Sequence, residues 1–258
     1  MSPPSDKNEP EEQLAEGTLI SHLLELRSRI MKAVVAVALV FAGLTPFMNR
    51  VFELVSKPLR DALPEGSKMI VTDVAAPFLT PMKTAFFVAL FIAMPVVLYQ
   101  VWQFVAPGLY KREKRLAIPL LVSSIVLFYS GIAFAYFIVF KVMFRFFVGV
   151  TPGGVNMSPD ISAYLSFVLG MFLSFGLAFE VPIATVLLLW SGIVSAPALK
   201  KARPYVFLGA FVAGMLLAPD VFSMTLMAIP MYLLYEGGLI MARVLIPHKV
   251  APEKSVNA

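Results

Sequence analysis

The chain of 258 residues has no cysteine and only two histidines, His22 and His248, far apart in sequence. Disulfides and thiol chemistry are excluded, and no zinc-ligand spacing can be built. No Ser/His/Asp set is found, and Gly66-Ser-Lys lacks the rest of a phosphate-cradling P-loop. No cofactor or metal is therefore expected. Charge is also scarce. Only 14% of residues are charged and 59% are hydrophobic, with a mean hydropathy of +0.83, where a soluble domain carries about 25% charge. What remains is an integral membrane protein. The pI near 9.4 would suggest nucleic acid in a soluble protein. Here the cations flank apolar runs, so they read as topology signals and anionic-lipid contacts, and no nucleic-acid partner is expected.

Charge-free runs cover residues 33–49, 84–110 and 116–140. Two more, 161–199 and 205–236, are interrupted only by Glu180 and Asp220 respectively, the second ending on Glu236. A span needs about 20 residues. The first three runs predict one helix each, and the fourth predicts one long helix over about 163–190. The fifth run must fold back near 218–221, giving two short spans. The expectation is an all-α membrane protein with six transmembrane helices. Prolines inside the runs (Pro95, Pro119, Pro182, Pro230) predict kinked helices forming a concave bundle. Residues 1–17 are acidic and proline-bearing and read as a disordered leader without the features of a secretory signal. Residues 18–245 form the membrane domain, and 246–258 a tail.

Lysine and arginine choose the side. The leader side and the loops that share it hold 14 of the 21 cations, including Lys111, Arg112, Lys114, Arg115, Lys200, Lys201 and Arg203. The positive-inside rule then places both termini in the cytoplasm. The opposite, external side has one substantial loop, 50–81. Its Val51, Phe52, Val55, Leu59 and Leu63 predict an amphipathic helix lying on the membrane and bent at Pro58, a candidate periplasmic cap.

Two acids stand out. In Ser21-His-Leu-Leu-Glu-Leu-Arg-Ser-Arg-Ile30, helical spacing puts His22, Glu25 and Arg29 on one side, at the mouth of the first span. Glu25 either only pairs with Arg29 across one helical turn or offers its carboxylate at the water line. Glu180 has 19 uncharged residues on each side. A carboxylate at that depth must be protonated, hydrogen-bonded or facing a polar cavity, and such acids mark function more often than structural glue. Pro182 frees the carbonyl of Ala178 beside it. Glu113, within the basic loop Tyr110-Lys-Arg-Glu-Lys-Arg115, reads on its own as charge balance.

The motifs His22-Leu-Leu-Glu-Leu-Arg27, Phe104-Val-Ala-Pro-Gly-Leu-Tyr110 followed by Glu113, Phe128-Tyr-Ser-Gly-Ile-Ala-Phe-Ala-Tyr136, Phe179-Glu-Val-Pro182, Arg203-Pro-Tyr205 and Pro219-Asp-Val-Phe222 together resemble TatC of the proteobacterial type. TatC is the polytopic core of the twin-arginine protein translocase. The resemblance runs in order from about residue 18 to about 245. It implies a receptor, not an enzyme, in the bacterial inner membrane. Such a receptor binds twin-arginine signal peptides of folded precursors and works with TatB-like and TatA-like single-span subunits, driven by the proton-motive force. It also implies self-association in a multivalent receptor complex. By motif position it assigns Glu25, Arg27, Phe104 and Glu113 to signal-peptide binding, Glu180 to an intramembrane polar role coupled to partners, and Pro58 to the cap. The competing class, a small-solute secondary transporter, would favour paired broken helices in two related halves, and no internal repeat is found. An intramembrane protease would need a Ser/His pair, paired aspartates or zinc ligands within the spans.

Overall fold

Apolar segments inside a bilayer have no water to satisfy their backbone, so they close their hydrogen bonds internally as helices. The computed structural model describes residues 9–62, 69–105, 114–152, 158–217 and 220–245. Among these residues the chain is helical apart from short connections and one isolated bridge. The helices are α1 (Glu9–Leu44), α2 (Met48–Ala62), α3 (Ala76–Val105), α4 (Lys114–Phe134), α5 (Phe140–Val150), α6 (Ile161–Ala178), α7 (Val181–Trp190), α8 (Ala196–Lys201), α9 (Arg203–Leu217) and α10 (Val221–Leu245). Five stretches are long and apolar enough to cross a membrane: Ser21–Lys57, Ala76–Phe104, Ile118–Val150, Ile161–Trp190 and Val221–Val244. A shorter apolar helix, Arg203–Leu216, is the sixth.

Four boundaries differ from the sequence reading. The first helix begins at Glu9, inside the segment read as a leader. It then continues through a 3₁₀ turn at Thr45-Pro46-Phe47 directly into α2, which runs through Pro58. The described irregularity on this stretch is the 3₁₀ turn at Pro46. The third span runs on past Phe140 through a π turn at Ala135–Val139 to Val150. Lys141 and Arg145 are exposed on that helix instead of in a loop. The fourth span is not continuous: α6 stops at Ala178 and α7 starts at Val181. Pro182 cannot donate to the Ala178 carbonyl, and Glu180 instead donates its N–H to Leu177, one residue tighter than an α-helix.

The hairpin of α9 and α10 is unequal. With 15 residues α9 covers about 22 Å, short of a core of about 30 Å. α10 has 25 residues and covers about 37 Å, running past Glu236.

Packing order follows the chain. α1 packs chiefly on α3, α3 on α4 and α6, α7 on α10, and α10 on α9. The main core fills the middle of this row with Phe91, Phe128, Met143, Leu169 and Phe175, joined by Met227. The closest crossing is α4 against α6. A methyl on Gly131 would overlap the Phe175 carbonyl oxygen, and one on Gly176 would lie 2.6 Å from the Phe128 ring. Small residues permit this approach, which supplies the van der Waals contact that drives helix association in lipid.

Candidate functional site

α1 meets the end of α3 beside Glu25. Its Oε1 accepts from Arg29 Nη2 at 3.2 Å, the one-turn pair expected from spacing. One turn earlier, the His22 ring stacks on Phe104 with centroids 4.4 Å apart and planes 25° apart. This contact ties the interior of α1 to the end of α3. Arg27 is exposed and borders two shallow clefts along α1. One is lined by Leu24, Ser28, Met31 and Lys32, the other by Leu23, Leu26, Ile30 and Val34. Glu113 lies outside the described residues, as does the side chain of Pro58, whose backbone belongs to α2.

Glu180 occupies the break between α6 and α7. Ser124 of α4 donates its hydroxyl to Glu180 Oε2 in a short hydrogen bond. The other oxygen, Oε1, is buried without a partner among the described residues. Beneath it Pro182 is buried, and Gly238 of α10 comes so close that a methyl there would lie 2.8 Å from Pro182 Cα. The acid thus sits where α4, α6, α7 and α10 converge, with one oxygen engaged and one buried without a described partner.

Sequence reasoning missed several partners. Ser124 is 56 residues from Glu180, and nothing in either local pattern announces the other. A third polar group went unread: Arg203 Nη2 donates to Glu236 Oε2 at 2.6 Å, and Tyr232 OH donates to Glu236 Oε1 at 2.8 Å. Tyr235 OH donates to the Leu199 carbonyl at 2.6 Å. A signal existed, since Arg203 begins α9, where a cation opposes the macrodipole, and Glu236 interrupts an apolar helix. Each is a misfit that the other resolves.

On the face bearing α2, Asp160 caps α6. Its Oδ1 accepts from the N–H groups of Ser162 and Ala163 at 3.0 and 2.8 Å. Its Oδ2 accepts from the Thr72 N–H and hydroxyl at 3.1 and 2.7 Å. These backbone and hydroxyl donors hold the carboxyl below its usual range, the Ala163 N–H contributing most. Ile70 and the 159–161 segment form the parallel bridge alongside.

A family model for the Sec-independent protein translocase protein (TatC) matches residues 21–230. The chain belongs to the TatC family. It is 57% identical over 226 residues to Sec-independent protein translocase protein TatC of Escherichia coli strain K12, covering 87% of this chain and 88% of that one. With the TatC of Azotobacter chroococcum it shares 56% over 238 residues, covering 92% and 90%. A crystal structure of the twin-arginine translocase receptor TatC superposes with a TM-score of 0.79 at 37% identity, covering 86% of this chain and 98% of that one. These likenesses give no support to the small-solute transporter reading. Glu25, Arg27, Pro58, Phe104, Glu113 and Glu180 all fall within the matched TatC span.

Proposed function

We propose that this chain is the signal-peptide receptor and core of a twin-arginine translocase in a bacterial cytoplasmic membrane, with both termini in the cytoplasm. The observation that carries the reading is the junction at Glu25. The His22–Phe104 stack fixes the interior of α1 against the end of α3, from which the chain leads to Glu113. Among the described residues Arg29 engages only Oε1 of Glu25, which leaves Oε2 for a guanidinium of an incoming peptide. Adjacent arginines favour carboxylates because each guanidinium forms charge-assisted, planar pairs. Glu25 and Glu113 would each take one arginine, with Arg27 and Phe104 bounding the site. Glu180 would be the intramembrane polar residue coupled to the TatA-like and TatB-like spans, and α2 with the 69–75 segment would form the external cap. Receptor units would self-associate, and the proton-motive force would supply the energy.

The test is the binding of a twin-arginine and a twin-lysine peptide to wild type, Glu25→Ala, Glu113→Ala and Glu113→Lys. Each alanine should weaken twin-arginine binding about ten- to a hundredfold, and lysine should do worse. Equal binding by all four proteins, or no preference for arginine in wild type, defeats the proposal.

A further inference from the structure

Lys83 is a cation inside an apolar span. It is exposed on α3 seven residues after Ala76, about 10 Å along the helix. α3 has 30 residues and is about 45 Å long, against a hydrocarbon core of about 30 Å. Centred on the bilayer, it extends about 7 Å beyond each boundary, so Lys83 Cα lies about 3 Å inside. A cation at that depth is costly unless it finds a partner or reaches the headgroups along its four-carbon stem.

No ion pair reaches Lys83 among the described residues. Both ion pairs described, Glu25–Arg29 and Arg203–Glu236, lie at the other end of the bundle. On its own face Asp73, Asp160 and Asp220 are taken up by backbone N–H groups as helix caps. Lys83 Nζ instead donates to Ser166 Oγ of α6 at 2.8 Å, and Ser166 commits its hydroxyl proton to the Ser162 carbonyl at 2.7 Å. Ser166 therefore holds the ammonium as an acceptor without neutralising it. An ammonium has three N–H donors, so two have no partner among the described residues, at the level where lipid phosphates begin.

We propose that Lys83, positioned by Ser166, binds the phosphate of an anionic phospholipid at the seam between α3 and α6. A phosphate supplies the missing charge, and its acyl chains continue along the apolar helix surfaces below. The site is independent of the signal-peptide reading, because phospholipids occupy both leaflets.

The purified full chain in phosphatidylcholine vesicles containing phosphatidylglycerol provides the test, with retained lipid counted by native mass spectrometry. Lys83→Gln should lower phosphatidylglycerol affinity about fivefold. Lys83→Arg should hold it. Ser166→Ala, which keeps the charge but frees the ammonium, should cause a smaller loss. Lys201→Gln, an exposed cation on α8, should change nothing at this site. Wild-type retention by Lys83→Gln, or an equal loss in Lys201→Gln, overturns the proposal. Should Lys83→Gln fail to fold, wild-type retention by Ser166→Ala overturns it instead.

Discussion

His22 and Phe104 are 82 positions apart in sequence, yet their rings stack with centroids 4.4 Å apart. Glu25 is one helical turn from His22, so this contact decides where the α1 carboxylate stands relative to the end of α3. An aromatic pair is worth about 0.5–1.5 kcal/mol beyond its buried area. Phe104→Ala should therefore weaken twin-arginine peptide binding by about two- to tenfold, and Phe104→Tyr, which keeps the ring, should not. Peptide titration checks both, and unchanged binding by Phe104→Ala would show the stack to be incidental.

The Glu180 oxygens carry a second prediction. Ser124→Ala removes the described donor to a half-buried acid and should lower melting in detergent by an amount corresponding to about 1–3 kcal/mol. Glu180→Gln keeps hydrogen-bonding capacity and should assemble and transport, whereas Glu180→Leu should impair transport. Wild-type transport by the leucine variant would leave Glu180 a tolerated buried acid.

Asp160 gives a pH dependence. Its carboxyl is held below the usual range, so the deprotonated form is favoured in the folded protein. The staple's contribution is then fully present above the unfolded aspartate value of about 3.9. It is lost only as pH falls through the lower folded value. Melting should be insensitive to this group from neutral pH down to about 4 and should drop below that. Asp160→Asn loses an acceptor oxygen that Thr72 uses, so it should melt lower at neutral pH and flatten the acid drop. An unchanged acid profile in Asp160→Asn would assign the drop to other groups.

The absence of native cysteine makes topology directly readable. A single cysteine at Ser158 should label from outside intact cells, and one at Ser195 only after permeabilisation. Outside labelling at Ser195 would overturn the placement of both termini in the cytoplasm.

The number and order of the spans could be read in the chain because hydrophobic length and proline punctuation are local properties. Boundaries failed where a charge was taken as the end of a span. Lys141 is tolerated on α5 because its stem lies toward Phe137, with Nζ 6.0 Å from that ring's centroid. Glu236 is tolerated because Arg203 and Tyr232 meet it. Glu180 could be recognised as unusual from its apolar flanks alone. Its dependence on Ser124 could not, since that contact exists only once α4 and α6 pack through Gly131 and Gly176. The His22–Phe104 contact was hidden for the same reason: the two residues open separate sequence motifs, and only the α1–α3 crossing brings them together.

The Arg203–Glu236 pair bears on how the short hairpin stays in place. α9 is too short to be held by hydrophobic matching alone, and a helix shorter than the core must thin the bilayer, move its flanking residues or lean on a neighbour. The pair fastens the first residue of α9 to α10, while Tyr232 holds the other carboxylate oxygen. Arg203 Nε is buried without a described partner, so the guanidinium depends on Glu236 for its compensation. Glu236→Ala should destabilise by about 1.5–3 kcal/mol, the scale of a hydrogen bond to a charged group. Arg203→Ala should cost less, because a half-exposed arginine leaves behind an acid still bonded to Tyr232. The exchange Arg203→Glu with Glu236→Arg should recover only part of the loss. It would place an acid favourably at the start of α9, but the Tyr232 hydroxyl would then face a cation that accepts no hydrogen bond. Melting of wild type, both alanine variants and the double alanine, analysed as a double-mutant cycle, measures the coupling, with the exchange read beside it. A coupling near zero would mean that α9 is held by its packing on α10 alone.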